Sequence, residues 1–291
     1  MNSRERLERC LSGEEVDRPP VALWRHFPTD DLNPYHLARS ILFFQNTYQF
    51  DFVKITPRSS YSVQDWGASD AWDGNPEGSG SYTQFPVKGP QDWSKLKVHS
   101  PLTGALGEQL ECIRLVRTAL PADIPVIPTI FSPLSQAKHL AGKDQLLEHL
   151  RKSPDALMIG LKTIVEQTVE FIRESKKLNI DGIFFAVQHA QKHILTEAEF
   201  DHFGYEVDLQ VLKEAQGLWL NIGHIHGSQI MFEKALNYPV SVLNWHDREE
   251  GISLRYGLNH FKGAVLGGLR QWDTMTYGHP DQVENEARDA I

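Results

Sequence analysis

The 291-residue sequence contains only two cysteines, Cys10 and Cys112, and no run of lysine and arginine longer than two residues. Two cysteines are too few for a disulfide scaffold or for a cysteine-rich metal site. The formal net charge of −9 and the lack of basic runs argue against a surface for nucleic acid or for anionic membranes. We therefore expect neither nucleic acid nor a membrane as a partner.

Long apolar runs are also missing. No stretch approaches the roughly 18 apolar residues that a transmembrane helix needs, and the first six residues include no apolar signal core. These absences predict a cytoplasmic protein. Hydrophobic residues nevertheless make up 41% of the chain, which is sufficient for a large globular core.

Seven short apolar segments alternate with amphipathic helical patterns. Such alternation is typical of parallel strands covered by helices, and the polar clusters after most strands indicate an α/β protein with a (β/α)8 TIM barrel. An eighth βα unit is not found before Ile291, so the pattern predicts a barrel in which that unit is missing or truncated. We expect one domain over residues 1–291, with a long loop excursion at 58–98. The predicted strands are 21–25, 51–56, 126–130, 181–186, 218–222, 240–245 and 264–267.

The sequence His224-Ile-His226 follows the fifth predicted strand, 218–222. Residues two apart on an extended backbone point to the same face, with about 7 Å between their Cα atoms. Two imidazoles in this arrangement can bind one metal ion, and Gly227 allows a sharp turn after them. The spacing fits equally well a pair of hydrogen-bonded histidines at a strand end.

Polar residues also follow the fourth and seventh predicted strands. Gln188 and His189 would line the barrel mouth and bind substrate, or else belong to a solvated loop. Arg270 follows a pair of glycines that permit close backbone approach, and it would bind an anionic group of the substrate or lie in a packing turn.

Several short motifs, in order along nearly the full chain, resemble those of the uroporphyrinogen decarboxylase superfamily. That superfamily includes porphyrinogen decarboxylases and zinc-dependent corrinoid methyltransferases that serve coenzyme M. The resemblance implies a TIM-barrel enzyme. The motifs are Arg18-Pro-Pro-Val21 with Arg25, Asp51 at the start of the second strand, Leu195-Thr196 with Phe200, Gly227, Asn244-Trp245, Gly267-Gly268-Leu269, and a Gly-x-Pro helix start at Gly278.

The decarboxylase branch implies catalytic roles for Asp51 and Arg25. Asp51 resembles the central aspartate, which stabilises a protonated intermediate among the pyrrole N–H groups, and Arg25 matches the first arginine of the motif. From the residues alone, Asp51 could instead cap the start of its strand, and Arg25 could form an ion pair at the barrel floor.

Other decarboxylase positions differ in this chain. Thr29 replaces the second arginine, His139 stands where a substrate-binding tyrosine is expected, and no serine lies between Gln188 and Ala190. Fewer arginine donors weaken the binding of a substrate that carries eight carboxylates. These differences argue against decarboxylation.

The methyltransferase branch carries a His-x-Cys pair where this chain has His224 and His226, and its third zinc ligand is a cysteine in the last barrel unit. The resemblance implies zinc at these two histidines, with an open coordination position for a thiol. Because His226 replaces the cysteine, the site also suits metals other than zinc. His246, after the sixth strand, is the candidate third ligand within the chain, or else part of a polar network at the strand end.

The sequence therefore favours a zinc-dependent, methyltransferase-like enzyme that acts on a corrinoid or thiol substrate, with a corrinoid protein as a candidate partner. One alternative is cofactor-free decarboxylation of a tetrapyrrole carboxylate. Another is a non-catalytic binder of corrinoids or tetrapyrroles. The oligomeric state is left open, with a homodimer as one option.

Overall fold

The structure is a computed structural model that describes residues 1–290. Six strands form one parallel sheet, and the remaining two pair as a separate antiparallel hairpin. The strands are β1 (Val53–Ile55), β2 (Ser69–Ala71), β3 (Ser81–Gln84), β4 (Val126–Phe131), β5 (Phe184–Val187), β6 (Ile222–Ile225), β7 (Val242–Trp245) and β8 (Ala264–Leu266). The parallel sheet has the order β1-β4-β5-β6-β7-β8, so its neighbouring strands follow one another along the chain. This order, with helices between the strands, is the layering of a TIM barrel.

The helices connect successive strands and cover the sheet. None of them combines the length and the apolar content that crossing a bilayer requires. They are α1 (Ser3–Leu11), α2 (Pro34–Tyr48), α3 (Gly104–Ala119), α4 (Pro133–Ala141), α5 (Lys143–Lys152), α6 (Pro154–Lys176), α7 (Glu197–Phe200), α8 (Glu206–Glu214), α9 (Phe232–Ala235), α10 (Leu254–His260) and α11 (Pro280–Ala290).

Capping residues fix several helix starts. Asn33 precedes α2, and its Oδ1 accepts hydrogen bonds from the backbone N–H groups of Tyr35 and His36 at 2.9 and 3.2 Å. Thr196 and Glu199 form a capping box at the start of α7. Each cap supplies acceptors for N–H groups that have no partner within the helix.

The first predicted strand, 21–25, is wrong. In the backbone pairing of this segment, the N–H of Asp51 donates to the carbonyl of Val21 at 2.8 Å. One such bond does not make a ladder, which needs repeated pairing between the two chains. Trp24 instead holds the segment in place by packing edge-on against Phe184 of β5, with ring centroids 5.2 Å apart.

The fifth strand lies further along the chain than its pattern predicts. Gly217 turns the backbone at a positive φ of 92°, and the side-chain amide of Asn221 donates to the carbonyls of Ala215 and Leu218. Because of these bonds, residues 218–221 form a loop between α8 and β6, and β6 begins only at Ile222. The shift places His224 within β6 rather than beyond its end.

The predicted loop excursion at 58–98 contains the hairpin of β2 and β3, which the sequence pattern did not reveal. The excursion is anchored to the helices by Trp93, which is fully buried and donates from Nε1 to His149 Nδ1 at 3.0 Å. Gly160 of α6 lies directly against the Trp93 ring, where a larger residue would collide with it. A fixed anchor of this kind is typical of an ordered covering segment.

One buried pair in the fold predicts a dependence of stability on pH. Asp208 is fully buried and accepts a hydrogen bond from Tyr238 Oη at 2.6 Å, while its Oδ1 has no partner. Burial raises the pKa of Asp208 from 3.8 to about 8. The folded protein therefore holds this proton at pH values where the unfolded chain has lost it. The stability that results is fully present below pH 3.8 and is lost as the pH rises through about 8.

Asp208→Asn should remove that dependence, because an amide does not titrate. We expect the free energy of unfolding of the wild type to fall relative to the variant by about 1 kcal/mol per pH unit between pH 5 and pH 8. Urea unfolding of both proteins at each pH measures the difference. Parallel stability profiles would contradict the prediction.

Candidate metal centre

Strands β6 and β7 place three of the predicted residues at the same end of the barrel. In the register of the sheet, His224 of β6 lies opposite Asn244 of β7. Because side chains alternate along a strand, His226 and His246 follow on the same face, just beyond the strand ends. Sites in TIM barrels are built at the carboxyl ends of the strands. The three histidines lie at that end.

The imidazoles of His224, His226 and His246 converge. One nitrogen of each ring lies within 4.8 Å of the corresponding nitrogens of the other two. His246 Nε2 is 3.4 Å from His226 Nδ1, and the ring centroids are 5.3 to 5.7 Å apart. All three side chains are only partly exposed. Their spacing permits either a shared metal ion or hydrogen bonds between rings.

Asn244 fixes the orientation and the tautomer of His224. The Asn244 amide nitrogen donates to the carbonyl of Leu266 at 2.8 Å, so its Oδ1 faces His224 Nδ1, which lies 2.6 Å away. An amide oxygen only accepts, so His224 carries its proton on Nδ1. The lone pair of His224 Nε2 is then available to a ligand.

The cluster favours neutral imidazoles. Burial lowers the pKa of His224 well below its ordinary value, and the neighbouring His226 and His246 lower it further, because a second positive charge would be repelled. Burial, and then His246, lower the pKa of His226 to about 4. His224 and His226 are therefore unprotonated at neutral pH, which is the state in which histidine binds metals.

Asp51 lies apart from the histidines, at the amino end of β1. Its carboxylate accepts hydrogen bonds from Arg6 Nη1 at 2.5 Å, from Arg18 Nη1 at 2.6 Å and from the Val21 N–H at 2.7 Å. Burial alone would raise the pKa of Asp51, but the bonds from Arg18, Val21 and Arg6 outweigh it and lower the pKa. This placement fits the alternative that Asp51 caps the start of its strand. It does not fit the catalytic role implied by the resemblance.

Arg25 and Arg270 also lie outside the histidine cluster. Arg25 Nε donates to the carbonyl of His26 at 3.1 Å, and its guanidinium rests 5.6 Å from the Phe27 ring centroid. Within residues 1–290 it makes no ion pair, so the predicted pair at the barrel floor is not found. Arg270 Nη1 lies 3.5 Å from Glu286 Oε1 in α11. Neither arginine is positioned by a contact with the histidines.

The other predicted substrate residues gather around Lys138 of α4. Gln188 Oε1 accepts a hydrogen bond from Lys138 Nζ at 2.9 Å, and His139 stacks on Tyr82 of β3 with centroids 4.6 Å apart. Burial, followed by the charge of Lys138, lowers the pKa of His189 to about 3. Burial and then Lys138 lower the pKa of His139 as well. The side chains beside Lys138 are thus those of Gln188, His139 and His189. The β2–β3 hairpin partly covers them.

Sequence reasoning missed three charged residues near the cluster. Lys138 is close enough to His226 to lower its pKa, and Glu77, in the turn of the β2–β3 hairpin, raises that pKa. Lys54 of β1 is 8% exposed and adds to the lowering of the His224 pKa. The only signal for Lys54 was a single charge inside the apolar run 52–55, and Lys138 directly precedes the predicted His139.

Comparisons with known proteins agree with this architecture. The chain matches the family model Uroporphyrinogen decarboxylase (URO-D) over residues 74–291. A solved structure described as a methyltransferase from Methanosarcina mazei shares the fold, with a TM-score of 0.85, 19% sequence identity, and coverage of 100% of this chain and 89% of that chain. This likeness confirms the predicted barrel fold.

A second solved structure, described as a candidate vitamin-B12 independent methionine synthase from Listeria monocytogenes, reaches a TM-score of only 0.44 at 9% identity. It covers 62% of this chain and 57% of that chain, and we draw no argument from it. No curated protein sequence matches the chain.

Proposed function

The chain belongs to the uroporphyrinogen decarboxylase family, as its motifs predicted, and on that premise we propose that it is a zinc-dependent, methyltransferase-like enzyme. In this proposal His224, His226 and His246 hold the metal, and a small thiol is the methyl acceptor, with a corrinoid as the methyl donor. The solved structure described as a methyltransferase supports the choice of branch, although its identity with this chain is only 19%.

The observation that carries the proposal is the distance of 3.4 Å between His226 Nδ1 and His246 Nε2. Two nitrogens bound to one tetrahedral zinc at 2.0–2.1 Å lie about 3.4 Å apart. Those two rings therefore already have the spacing of a ligand pair. The nitrogen of His224 lies within 4.8 Å of both, so a small rotation of its side chain would complete a three-nitrogen set.

The chemistry of the donor set also fits zinc. Imidazole nitrogen is a common zinc ligand, and three protein ligands leave the fourth tetrahedral position for a substrate. Asn244 holds the Nδ1 proton of His224 and leaves Nε2 to the metal, which is the usual role of an outer hydrogen-bond partner. When bound, zinc would supply the Lewis acidity that lets a thiol lose its proton near neutral pH.

The residues around the cluster would control what reaches it. Glu77 and Lys138 place one negative and one positive charge near His226. The Glu77 side chain also accepts a hydrogen bond from Gln271 Nε2 at 3.3 Å, which ties the hairpin turn to the segment after β8. The hairpin would thus help to exclude water from the thiol.

Metal analysis and a methyl-transfer assay test the proposal. The purified full chain is stripped with a chelator, reloaded with zinc, and analysed for metal per chain, then incubated with methylcobalamin and a small thiol. We expect one zinc per chain and a methylated thiol. Absence of stoichiometric metal, or equal activity in His224→Ala, would overturn the mechanism.

The same preparation separates the alternatives. Conversion of uroporphyrinogen to coproporphyrinogen would establish decarboxylation instead. The placement of Asp51 among Arg6 and Arg18 argues against that outcome. Tight corrinoid binding without turnover of any thiol would establish a non-catalytic binder.

Asn244→Leu provides a more specific check on the metal site. Removing the acceptor at Oδ1 frees His224 to rotate and to change tautomer, so we expect zinc affinity to fall about 10- to 100-fold. Competition with a chromophoric chelator measures the affinity. Asn244→Asp, which retains an acceptor for the Nδ1 proton, is the matched control and should bind zinc at least as tightly as the wild type. Equal affinities of the Leu variant and the wild type would show that Asn244 does not support the site.

A further inference from the structure

His246 is a proposed metal ligand that lies on a loop. It follows β7 directly and begins the loop 246–250, whereas His224 lies within β6 and has Asn244 as its hydrogen-bond partner. Histidines that bind metals are usually held in the right direction by a group outside the ligand set, which accepts the proton of the other ring nitrogen. If His246 is a ligand, its ring needs such a partner as well.

Charged side chains anchor the loop 246–250 on both sides. Asp247 Oδ1 accepts a hydrogen bond from the Gly268 N–H at 2.9 Å, and Arg248 Nε donates to the Gly268 carbonyl at 3.0 Å. On the other side, Glu250 Oε2 accepts from the Ile230 N–H at 3.4 Å. These bonds tie the loop to the segments that follow β8 and β6. The remaining charged side chain of the loop, that of Glu249, makes no such bond within residues 1–290.

Glu249 faces His246 instead. The N–H groups of Glu249 and Glu250 both donate to the His246 carbonyl at 3.0 Å, and these two bonds close a tight turn. The turn brings Glu249 Oε2 to 3.7 Å from His246 Nδ1, and in the described part of the chain this is the only polar contact of the Glu249 side chain. Because the side chain is 39% exposed, it can rotate to shorten the contact to a hydrogen bond.

The two ring nitrogens of His246 face different partners. Nδ1 faces the Glu249 carboxylate, and Nε2 lies 3.4 Å from His226 Nδ1 in the cluster. An ionised carboxylate only accepts hydrogen bonds, so it favours the tautomer of His246 that carries the proton on Nδ1. The lone pair of Nε2 is then directed into the cluster. Asn244 selects the same tautomer in His224.

We propose that Glu249 is the positioning residue of His246, because its carboxylate holds the Nδ1 proton and directs the Nε2 lone pair at the metal position. This inference deepens the proposed function and rests on it for the presence of the metal. A carboxylate in this place also makes the imidazole a stronger donor to a metal. Asn244 and Glu249 then support two of the three ligands from outside the ligand set.

Zinc affinities of three variants of the full chain test this role, in competition with a chromophoric chelator. Glu249→Ala removes the acceptor, so it should bind zinc about 10- to 100-fold more weakly than the wild type. Glu249→Gln keeps an oxygen that accepts the Nδ1 proton, and it should recover most of the affinity. Glu250→Gln is the matched control, because it removes the same charge one residue away and keeps an acceptor for the Ile230 N–H. The control should bind zinc like the wild type, and a loss equal to that of Glu249→Ala would reject the proposal.

The tautomer of His246 gives a second readout, which needs no metal. Long-range proton–nitrogen NMR of the metal-free protein at mildly alkaline pH should place the His246 proton on Nδ1 in the wild type and in Glu249→Gln. In Glu249→Ala the proton should move at least in part to Nε2. The His246 signals are those that disappear in His246→Ala.

The two readouts separate a failure of this inference from a failure of the proposed function. If the wild type binds zinc and Glu249→Ala binds it equally well, Glu249 does not position His246 and the proposed function stands. If the wild type binds no zinc, the proposed function is wrong. A shifted tautomer in Glu249→Ala would then show that Glu249 still orients His246, and an unchanged tautomer would reject this inference as well.

Discussion

His224→Ala is expected to abolish stoichiometric zinc binding and, with it, methyl transfer to a thiol. The substitution removes one of three converging nitrogens, and it is the one whose orientation is fixed by Asn244. Structural zinc sites contribute roughly 10–16 kcal/mol from four ligands, so one ligand corresponds to about 3 kcal/mol, or roughly two orders of magnitude in affinity. His226→Ala and His246→Ala should have effects of the same order, because the three rings would form one coordination set.

The measurement is a competition titration with a chromophoric chelator, supported by elemental analysis of the metal per chain. His193→Ala is the matched control, since His193 is exposed and follows β5 rather than β6 or β7. It should bind zinc like the wild type. If His226 and His246 are only a hydrogen-bonded pair, their alanine variants will differ from the wild type in unfolding temperature and not in metal content. That result would reject the metal site.

The placement of the histidines could be predicted from the sequence because it depends on local geometry and on one rule of parallel sheets. His224 and His226 are two residues apart, and His246 follows the next strand. Carboxyl ends of neighbouring parallel strands meet at one edge, so the three were expected to come together. The distances between the histidines and the tautomer of His224 could not be predicted. They depend on Asn244 and Leu266, which lie opposite each other in the register of β7 and β8.

Lys54 shows why other parts of the site escaped prediction. A three-residue strand gives too little periodicity to tell an inward position from an outward one, and the partners of Lys54 are far away in sequence, at Trp24 and Phe184. The same limit explains the error at 21–25. That segment has the composition of a strand, but strand formation depends on a neighbour that repeatedly accepts and donates backbone hydrogen bonds.

The resemblance gives Asp51 a catalytic role, whereas its surroundings in the structure predict an effect on stability. The carboxylate is 0% exposed and pairs with two arginines, one of which, Arg6, is itself buried at 5% exposure. Because the remaining buried guanidinium would lose a counter-ion, Asp51→Asn should lower the free energy of unfolding by about 3–5 kcal/mol. Urea unfolding at pH 7 measures this value.

Asp17→Asn is the control that separates burial from simple charge removal. Asp17 also pairs with Arg6, at 2.6 Å, but its side chain is 43% exposed. An ion pair that reaches the surface is screened by water and contributes little, so the control should cost much less than Asp51→Asn. Both variants should bind zinc with the affinity of the wild type, because the arginine network and the histidines lie at opposite ends of the strands. If Asp51→Asn folds with normal stability but has impaired catalysis, Asp51 acts in the active site. A carboxylate that only stabilises the amino end of the barrel has no direct effect on the reaction rate.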